Sequence, residues 1–349
     1  MIAVSVVSKI GWVKEAIAQI LSAFDEYLPF PGKTDQRLVR ACSAGDLASN
    51  FLPQCTSKCG KETPTEIAST RSFSATGNQY AWCAVIGTPS PTRERNVKIT
   101  VVTAVFNRAG TIADAVRSVR RQTHTDIEHV VQDGASCDGT LDVLAQLPSP
   151  TMLVQSAPDG GIYDGINRGI ARATGDVIGL MHSDDLFASD TVLSTVAEAF
   201  ADQDIDGVYG DLVYVAAQDP ARVIRYWKSG TYAASKLRDG WMPPHPTLYL
   251  RREVFERWGV YDTEFRIAAD YEAMLRWLVK GQIRLSYVPE VMVRMRVGGE
   301  SNRSIGRLLR KSREDYRAMR RHRVGGVRTL MSKNFSKIGQ FLKKDPTTP

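Results

Sequence analysis

The sequence predicts an α/β fold, a mixed, mainly parallel sheet flanked by helices, and three observations carry that prediction. From Lys98 onward, uncharged β-branched runs alternate four times with amphipathic stretches, the pattern of a sheet covered on both faces. Polar clusters recur just after the apolar runs, where ligands of such sheets sit. Charge is also unevenly placed: residues 1–95 carry a net +2, residues 96–302 a net −6 and residues 303–349 a net +11. The chain therefore divides into an N-terminal extension and linker (1–95), a central domain (96–302) and a basic, helical tail (303–349).

In the extension, Ile10, Val13, Ile17 and Ile20 predict a helix over Lys9–Phe24. The Ser, Thr, Gly, Pro and Lys that follow show no period, which predicts a poorly ordered segment. Lys9, Lys14 and Glu15 interrupt its opening apolar residues, so no cleaved signal peptide is expected. Cys42, Cys55, Cys59 and Cys83 have no partner set at zinc-finger spacing and read as thiols of a reducing cytoplasm.

In the central domain KITVVTAV reads as a buried strand. It is followed by a helix with Ile112, Val116 and Val119 on one face. IEHVVQD, MLVQS and DVIGLM read as strands; LDVLAQL, YDGINRGIARAT and TVLSTVAEAF read as helices between or after them; DGVYGDLVYV is a strand or hairpin. In the tail, GRLLRKSREDYRAMRRHR is helical. Val327, Leu330, Met331, Phe335, Ile338 and Phe341 then form a stripe between lysines. That stripe fits an interfacial helix on an anionic membrane or a tail docked on the domain. No run of eighteen uncharged apolar residues occurs, so no membrane span is expected. An acidic body argues against a nucleic-acid partner.

Three clusters carry chemistry. Thr103 and Asn107 close the first strand, and Asp133-Gly134 closes the second. A carboxylate at that place suits a ribose or base, and the glycine admits a ligand to the backbone. The dinucleotide fingerprint G-x-G-x-x-G is absent, which disfavours nicotinamide or flavin. In PDGGIYDGINRG, Asp159, Asp164 and Asn167 surround a Gly-rich turn suited to phosphates or a sugar. In HSDD, His182 to Asp185, two adjacent carboxylates end an apolar strand, and a divalent cation relieves their repulsion. Asp270 lies where an extended stretch meets a helix, as a cap, a base or both. His245, in a stiff Pro-flanked loop, suits diphosphate, metal, acceptor or a structural role. Trp241 suits an acceptor-sugar platform or the core.

Taken in order, VVTAVFNR, QDGASCDGT, PDGGIYDGINRGIARATGD, HSDD, HPTLYLRREVF and IAADYEAMLR resemble the family 2 glycosyltransferases of GT-A fold. The similarity spans residues 97–300 and lies nearest the short bacterial members that build exopolysaccharide, lipopolysaccharide or glycolipid heads. It implies transfer of a hexosyl or deoxyhexosyl group from a nucleotide-diphospho-sugar to a glycan or lipid-linked acceptor, with inversion and with Mn2+ or Mg2+. By the same resemblance Thr103, Val105, Asn107, Asp133 and Gly134 contact the nucleotide. Asp159 and Asp184 contact ribose or sugar, Asp185 holds the metal, and Asp270 is the acceptor-side base. The motif lacks an acidic residue at its outer position, which leaves one carboxylate on the metal. The implied location is the cytoplasm or the inner face of its membrane. A polymerising synthase is disfavoured, because Arg276-Trp277 follows Asp270 by only six residues and no span exists. Two different functions would suit the same fold: a non-catalytic sugar-nucleotide-binding scaffold, and a nucleotidyltransferase, which releases pyrophosphate.

Overall fold

The computed structural model describes residues 97–297 and 305–335. The helix expected at Lys9–Phe24, the rest of the extension with its four cysteines, and the tail beyond 335 lie outside the described residues. The strands are β1 (Ile99–Val105), β2 (Ile127–Asp133), β3 (Met152–Ser156), β4 (Val177–Leu180), β5 (Leu186–Phe187), β6 (Gly207–Val215), β7 (Val223–Trp227), β8 (Tyr249–Arg251) and β9 (Leu285–Arg296). The helices are α1 (Ile112–Arg120), α2 (Thr140–Ala145), α3 (Ile162–Arg172), α4 (Val192–Ala199), α5 (Arg252–Trp258), α6 (Ala269–Leu275), α7 (Ile305–Arg321) and α8 (Val327–Phe335).

The strands form one sheet of order β3-β2-β1-β4-β8-β6-β9-β5, with β7 antiparallel to the end of β6. The β3-β2-β1-β4 half is parallel. Beyond it β8 runs antiparallel to both β4 and β6, while β9 is parallel to β6. The elements read from the first half of the domain appear in the expected order. The extended stretch expected before Asp270 joins no ladder. The short β5, β7 and β8 and the twelve-residue β9 are strands that sequence pattern does not announce. Pro289 of β9 has no N–H to give, and the β6–β9 register slips there, with Tyr209 opposite Tyr287 and Asp211 opposite Val291.

Alternation along β1 builds the two layers. Ile99 and Val101 point into the core formed with α1 and α4, where Val119, Leu193, Val196 and Phe200 are fully enclosed. Each such side chain contributes about 1.5–3 kcal/mol by burial. Val102 points to the other face, where α3 lies close: a Cβ at Gly169 would stand 2.3 Å from the Val102 side chain. Only glycine allows that approach, and it sets α3 directly over the ends of β1 and β2.

The described part of the tail folds back on the domain. Ser312, Asp315, Ala318, Met319 and His322 are buried along one face of α7, at helical spacing, and α7 packs on α6. Leu330 is buried on α8, which packs on α7 and on the turn Ala234–Asp239. Two arginines of the tail pair with the domain, Arg317 with Glu264 and Arg321 with Asp262, and Lys311 and Lys333 both pair with Asp315 of the tail itself, while Arg310, Arg320, Arg323 and Arg328 are exposed. Of the two roles open to the apolar stripe, these contacts support docking. No helix among the described residues is long and apolar enough to cross a membrane.

Candidate active site

The loop after β2 is built by its own carboxylates. Asp133 is fully buried and accepts three hydrogen bonds: Ser136 Oγ at 2.5 Å, the Ser136 amide at 3.0 Å and Ser156 Oγ at 2.6 Å. Asn107 takes up a left-handed conformation (φ 51°), which a short polar side chain tolerates. Its Oδ1 accepts from the Cys137 amide, and its own N–H donates to Ser136 Oγ. Between them these two residues fix residues 136–138. Gly134 proves necessary for a side chain rather than for open space. Asp159 Oδ2 lies 2.8 Å from where its Cβ would stand, while Asp159 Oδ1 accepts from the Gly161 amide. Asp164 Oδ2 binds the Gly160 amide and Arg168.

Other expected donor residues turn inward. Thr103 is buried, its hydroxyl 3.0 Å from His129 Nε2, and Val105 lies in the apolar cluster under α1 and α2. Asn167 binds the Tyr261 backbone at both ends of its amide, 2.7 Å to the carbonyl and 3.0 Å from the N–H. Phe106, which sequence pattern leaves unremarked, stands 57% exposed at the end of β1. An exposed aromatic ring beside a polar strand-end loop is a stacking surface for a base.

The HSDD turn after β4 is clamped from three sides. Thr111 Oγ1 donates to the Ser183 carbonyl. Arg296, at the end of β9, donates its amide to Asp185 Oδ1 and its guanidinium to the Asp184 carbonyl and to Asp114. Asp185 is 1% exposed and its Oδ2 is buried without a hydrogen-bond partner. Burial, and then the neighbouring Asp184, push its carboxyl well above the usual carboxylate range. A buried carboxylate with one orphaned oxygen and a second carboxylate beside it fits a divalent cation. Among the described residues no three His, Cys, Asp or Glu side chains gather into a cage.

Asp270 sits in the first turn of α6, where a carboxylate is favoured by the helix dipole. It does not cap the helix: Ala268 holds the cap position. The Tyr163 hydroxyl donates to the Ile267 carbonyl at 2.9 Å and lies 3.3 Å from Asp270 Oδ1; Asp270 Oδ2 accepts no bond among the described residues. Tyr163 stacks on Tyr261, whose hydroxyl lies 2.9 Å from His245 Nε2. The His245 ring in turn stands 5.7 Å from that of His182. Burial lowers His245 to about 4, so it is neutral at pH 7. Burial also lowers His182, against the opposing pull of Asp184 and Asp270. Contacts thus run from His182 through His245, Tyr261 and Tyr163 to Asp270, between the end of β4 and the start of α6. Trp241 is half-buried, its indole N–H on the Ser229 carbonyl and its ring beside Tyr232 and Tyr209.

This arrangement has known counterparts. Residues 100–259 match the family described as glycosyl transferase family 2. An uncharacterized glycosyltransferase of Mycobacterium tuberculosis is 32% identical over 181 residues, which cover 51% of this chain and 68% of that protein. The chain belongs to glycosyltransferase family 2. A second family member, a PGL/p-HBAD biosynthesis glycosyltransferase of Mycobacterium bovis BCG, is 28% identical over 58% of this chain and 78% of its own length. Two solved structures share the GT-A fold. The mannosyltransferase PcManGT of Pyrobaculum calidifontis, in complex with GDP-Man and Mn2+, is 20% identical over 68% of this chain and 69% of its own, with a TM-score of 0.52. S. aureus TarS in complex with UDP-GlcNAc is 19% identical over 65% of this chain, with a TM-score of 0.51; the chain spans 66% of that structure, just under two thirds. In this family 2 chain Asp270 and the tail helices lie beyond the matched segment.

Proposed function

We propose that the protein transfers one hexosyl or deoxyhexosyl group from a nucleotide-diphospho-sugar to a hydroxyl of a glycan or lipid-linked acceptor, by single displacement with inversion. The observation that carries this reading is the convergence, about the His182–His245 ring pair, of the paired carboxylates Asp184-Asp185 and the half-free carboxylate Asp270. The first pair suits a leaving diphosphate with its cation, and the second suits an incoming hydroxyl.

The nucleoside occupies the loop held by Asn107, Asp133 and Gly134, with its base against Phe106. Asp159 and Asp164 order the Gly160-Gly161 turn beside it. Asp185, with Asp184 adjacent, would hold Mn2+ or Mg2+, which would supply positive charge where the diphosphate departs. Asp270 Oδ2 takes the proton of the acceptor hydroxyl while that oxygen attacks the anomeric carbon. The carbon–oxygen bond to the diphosphate breaks on the opposite face, so the anomeric configuration inverts. A base so placed contributes roughly 10²–10⁴ in rate. Tyr163 steadies Asp270 through Oδ1. The neutral His245 and His182 line the gap without adding charge, and Trp241 offers an aromatic face to an acceptor sugar.

The test is to supply UDP-GlcNAc or GDP-mannose with Mn2+ and a panel of free and lipid-linked sugar acceptors, and to read the product linkage by NMR. The expected product has the anomeric configuration opposite to the donor's. Retained configuration contradicts the single displacement.

A further inference from the structure

The acceptor-side carboxylate is positioned from a part of the chain that lies outside the matched family segment. Helix α6 opens with Ala268 at its cap position, and a methyl group cannot accept the orphan N–H groups of a helix start. Glu314 of α7 takes one of these donors, the cap residue's own N–H, together with the N–H of the residue before it. Glu314 Oε2 binds the Ile267 amide at 2.8 Å and the Ala268 amide at 2.9 Å, so one carboxylate oxygen serves both donors.

The same short peptide is gripped from the other side, because the Tyr163 hydroxyl that reaches Asp270 also binds the Ile267 carbonyl. Residues 267 and 268 thus stand between two anchors, two and three residues before Asp270. One anchor is on α3 and the other is on the tail.

The rest of α7 keeps Glu314 in place. Its neighbour Asp315 is 1% exposed and binds Lys311 at 2.9 Å and Lys333 at 2.8 Å. About two turns on, Arg321 and His322 both reach Glu272 of α6. Burial opposes the charge of Lys311, but Asp315, and further off Asp270, outweigh it and raise the lysine above its ordinary value.

We propose that α7 is part of the catalytic unit and that Glu314 is the positioning residue of the acceptor-side base. The proposal rests on reading Asp270 as that base. Its logic is geometric: without Glu314 two amides at the head of α6 lose their acceptor, the first turn frays, and Asp270 leaves its line to the acceptor hydroxyl. Misplacement of a reacting group by about 1 Å lowers rate up to roughly 10²-fold while leaving donor affinity untouched.

The experiment compares wild type, Glu314→Ala, Glu314→Gln and, as control, Arg317→Ala, which loses an exposed pair with Glu264 and a cation–π contact with Phe265. Turnover of UDP-GlcNAc and GDP-mannose is measured with Mn2+, and hydrogen exchange is followed at Ile267 and Ala268. Glu314→Ala is expected to lower kcat about tenfold or more with donor KM within about twofold, and to speed exchange at both amides. Glu314→Gln keeps a carbonyl oxygen that accepts both N–H groups, so it is expected to recover most of kcat. Arg317→Ala is expected to match wild type. Unchanged kcat in Glu314→Ala, or a Gln variant as slow as Ala, overturns the proposal. If wild type turns over neither donor, the fault lies with the assignment of function. The cap is then judged by exchange alone, and unchanged protection in Glu314→Ala overturns it.

Discussion

The two ends of the site are held in opposite ways. At the donor end the polar residues are fixed from within the parallel half of the sheet and its loops: Asp133 by Ser136 and by Ser156, 23 residues on, Asn107 by Ser136 and Cys137, 29 and 30 residues on, and Asp164 of α3 by Gly160 and Arg168. At the start of α6, Asp270 is fixed by Tyr163, 107 residues before it, and its helix is capped by Glu314, 46 residues after Ala268. A nucleotide-binding loop that folds its own carboxylates stays in place whatever the acceptor. A base held between a central helix and the tail ties turnover to the docking of that tail.

Substitutions that separate binding from turnover sharpen this contrast. The largest effect is expected at Asp270→Asn: kcat falls by about 10²–10⁴ while calorimetric nucleotide affinity stays within a few-fold of wild type. Loss of nucleotide binding in that variant erases the distinction between the two ends. Asp315→Ala strands Lys311 and Lys333 against a dry interface. It is expected to cost about 3–5 kcal/mol in denaturant unfolding, with kcat falling before nucleotide affinity as α7 loosens.

Each end also contains one buried neutral histidine. Burial, then the charge of Arg120, lowers His129 from 6.5 to about 4; burial likewise lowers His245 to about 4. The unfolded chain binds these protons first, so the stability they contribute is complete above pH 6.5 and is lost as pH falls through about 4. Each contributes on the order of 3 kcal/mol over that window. His129→Gln is therefore expected to lower the slope of stability against pH between 6.5 and 4 by about 1.4 kcal/mol per pH unit, and an unaltered slope contradicts its buried neutral state. The smallest effect belongs to Asn167→Ala. Loss of both bonds to Tyr261 is expected to destabilise by about 1–3 kcal/mol, with nucleotide affinity unchanged. A selective fall in nucleotide affinity instead returns Asn167 to the donor pocket.

The same contrast decides how far the sequence could be read. The parallel half of the sheet, the strand-end positions of Asp133 and HSDD, and the loop carrying Asp159 all follow from local pattern, because their periodicity and turn chemistry are local. Thr103 and Asn167 show as polar residues near those ends, yet their partners, His129 and Tyr261, stand 26 and 94 residues away. Direction of a side chain is set by tertiary packing that no short window contains. Strand β9 escapes pattern because Pro289 breaks its alternation. Arg296, 111 residues from Asp185, and Glu314 act through backbone groups, and a bond to a backbone amide leaves no mark on the sequence that receives it. In the tail, Arg317, Arg321, His322 and Lys333 meet Glu264, Asp262, Glu272 and Asp315, pairings that basic composition does not reveal.

The most direct measurement is calorimetric titration of UDP, GDP and dTDP into wild type and Asp185→Ala, with and without Mn2+. The account predicts that one nucleotide binds tightly only when the metal is present, and that Asp185→Ala abolishes the metal's contribution while leaving the fold intact. Absence of binding by every nucleotide under every condition, or a metal effect of equal size in Asp185→Ala, contradicts it.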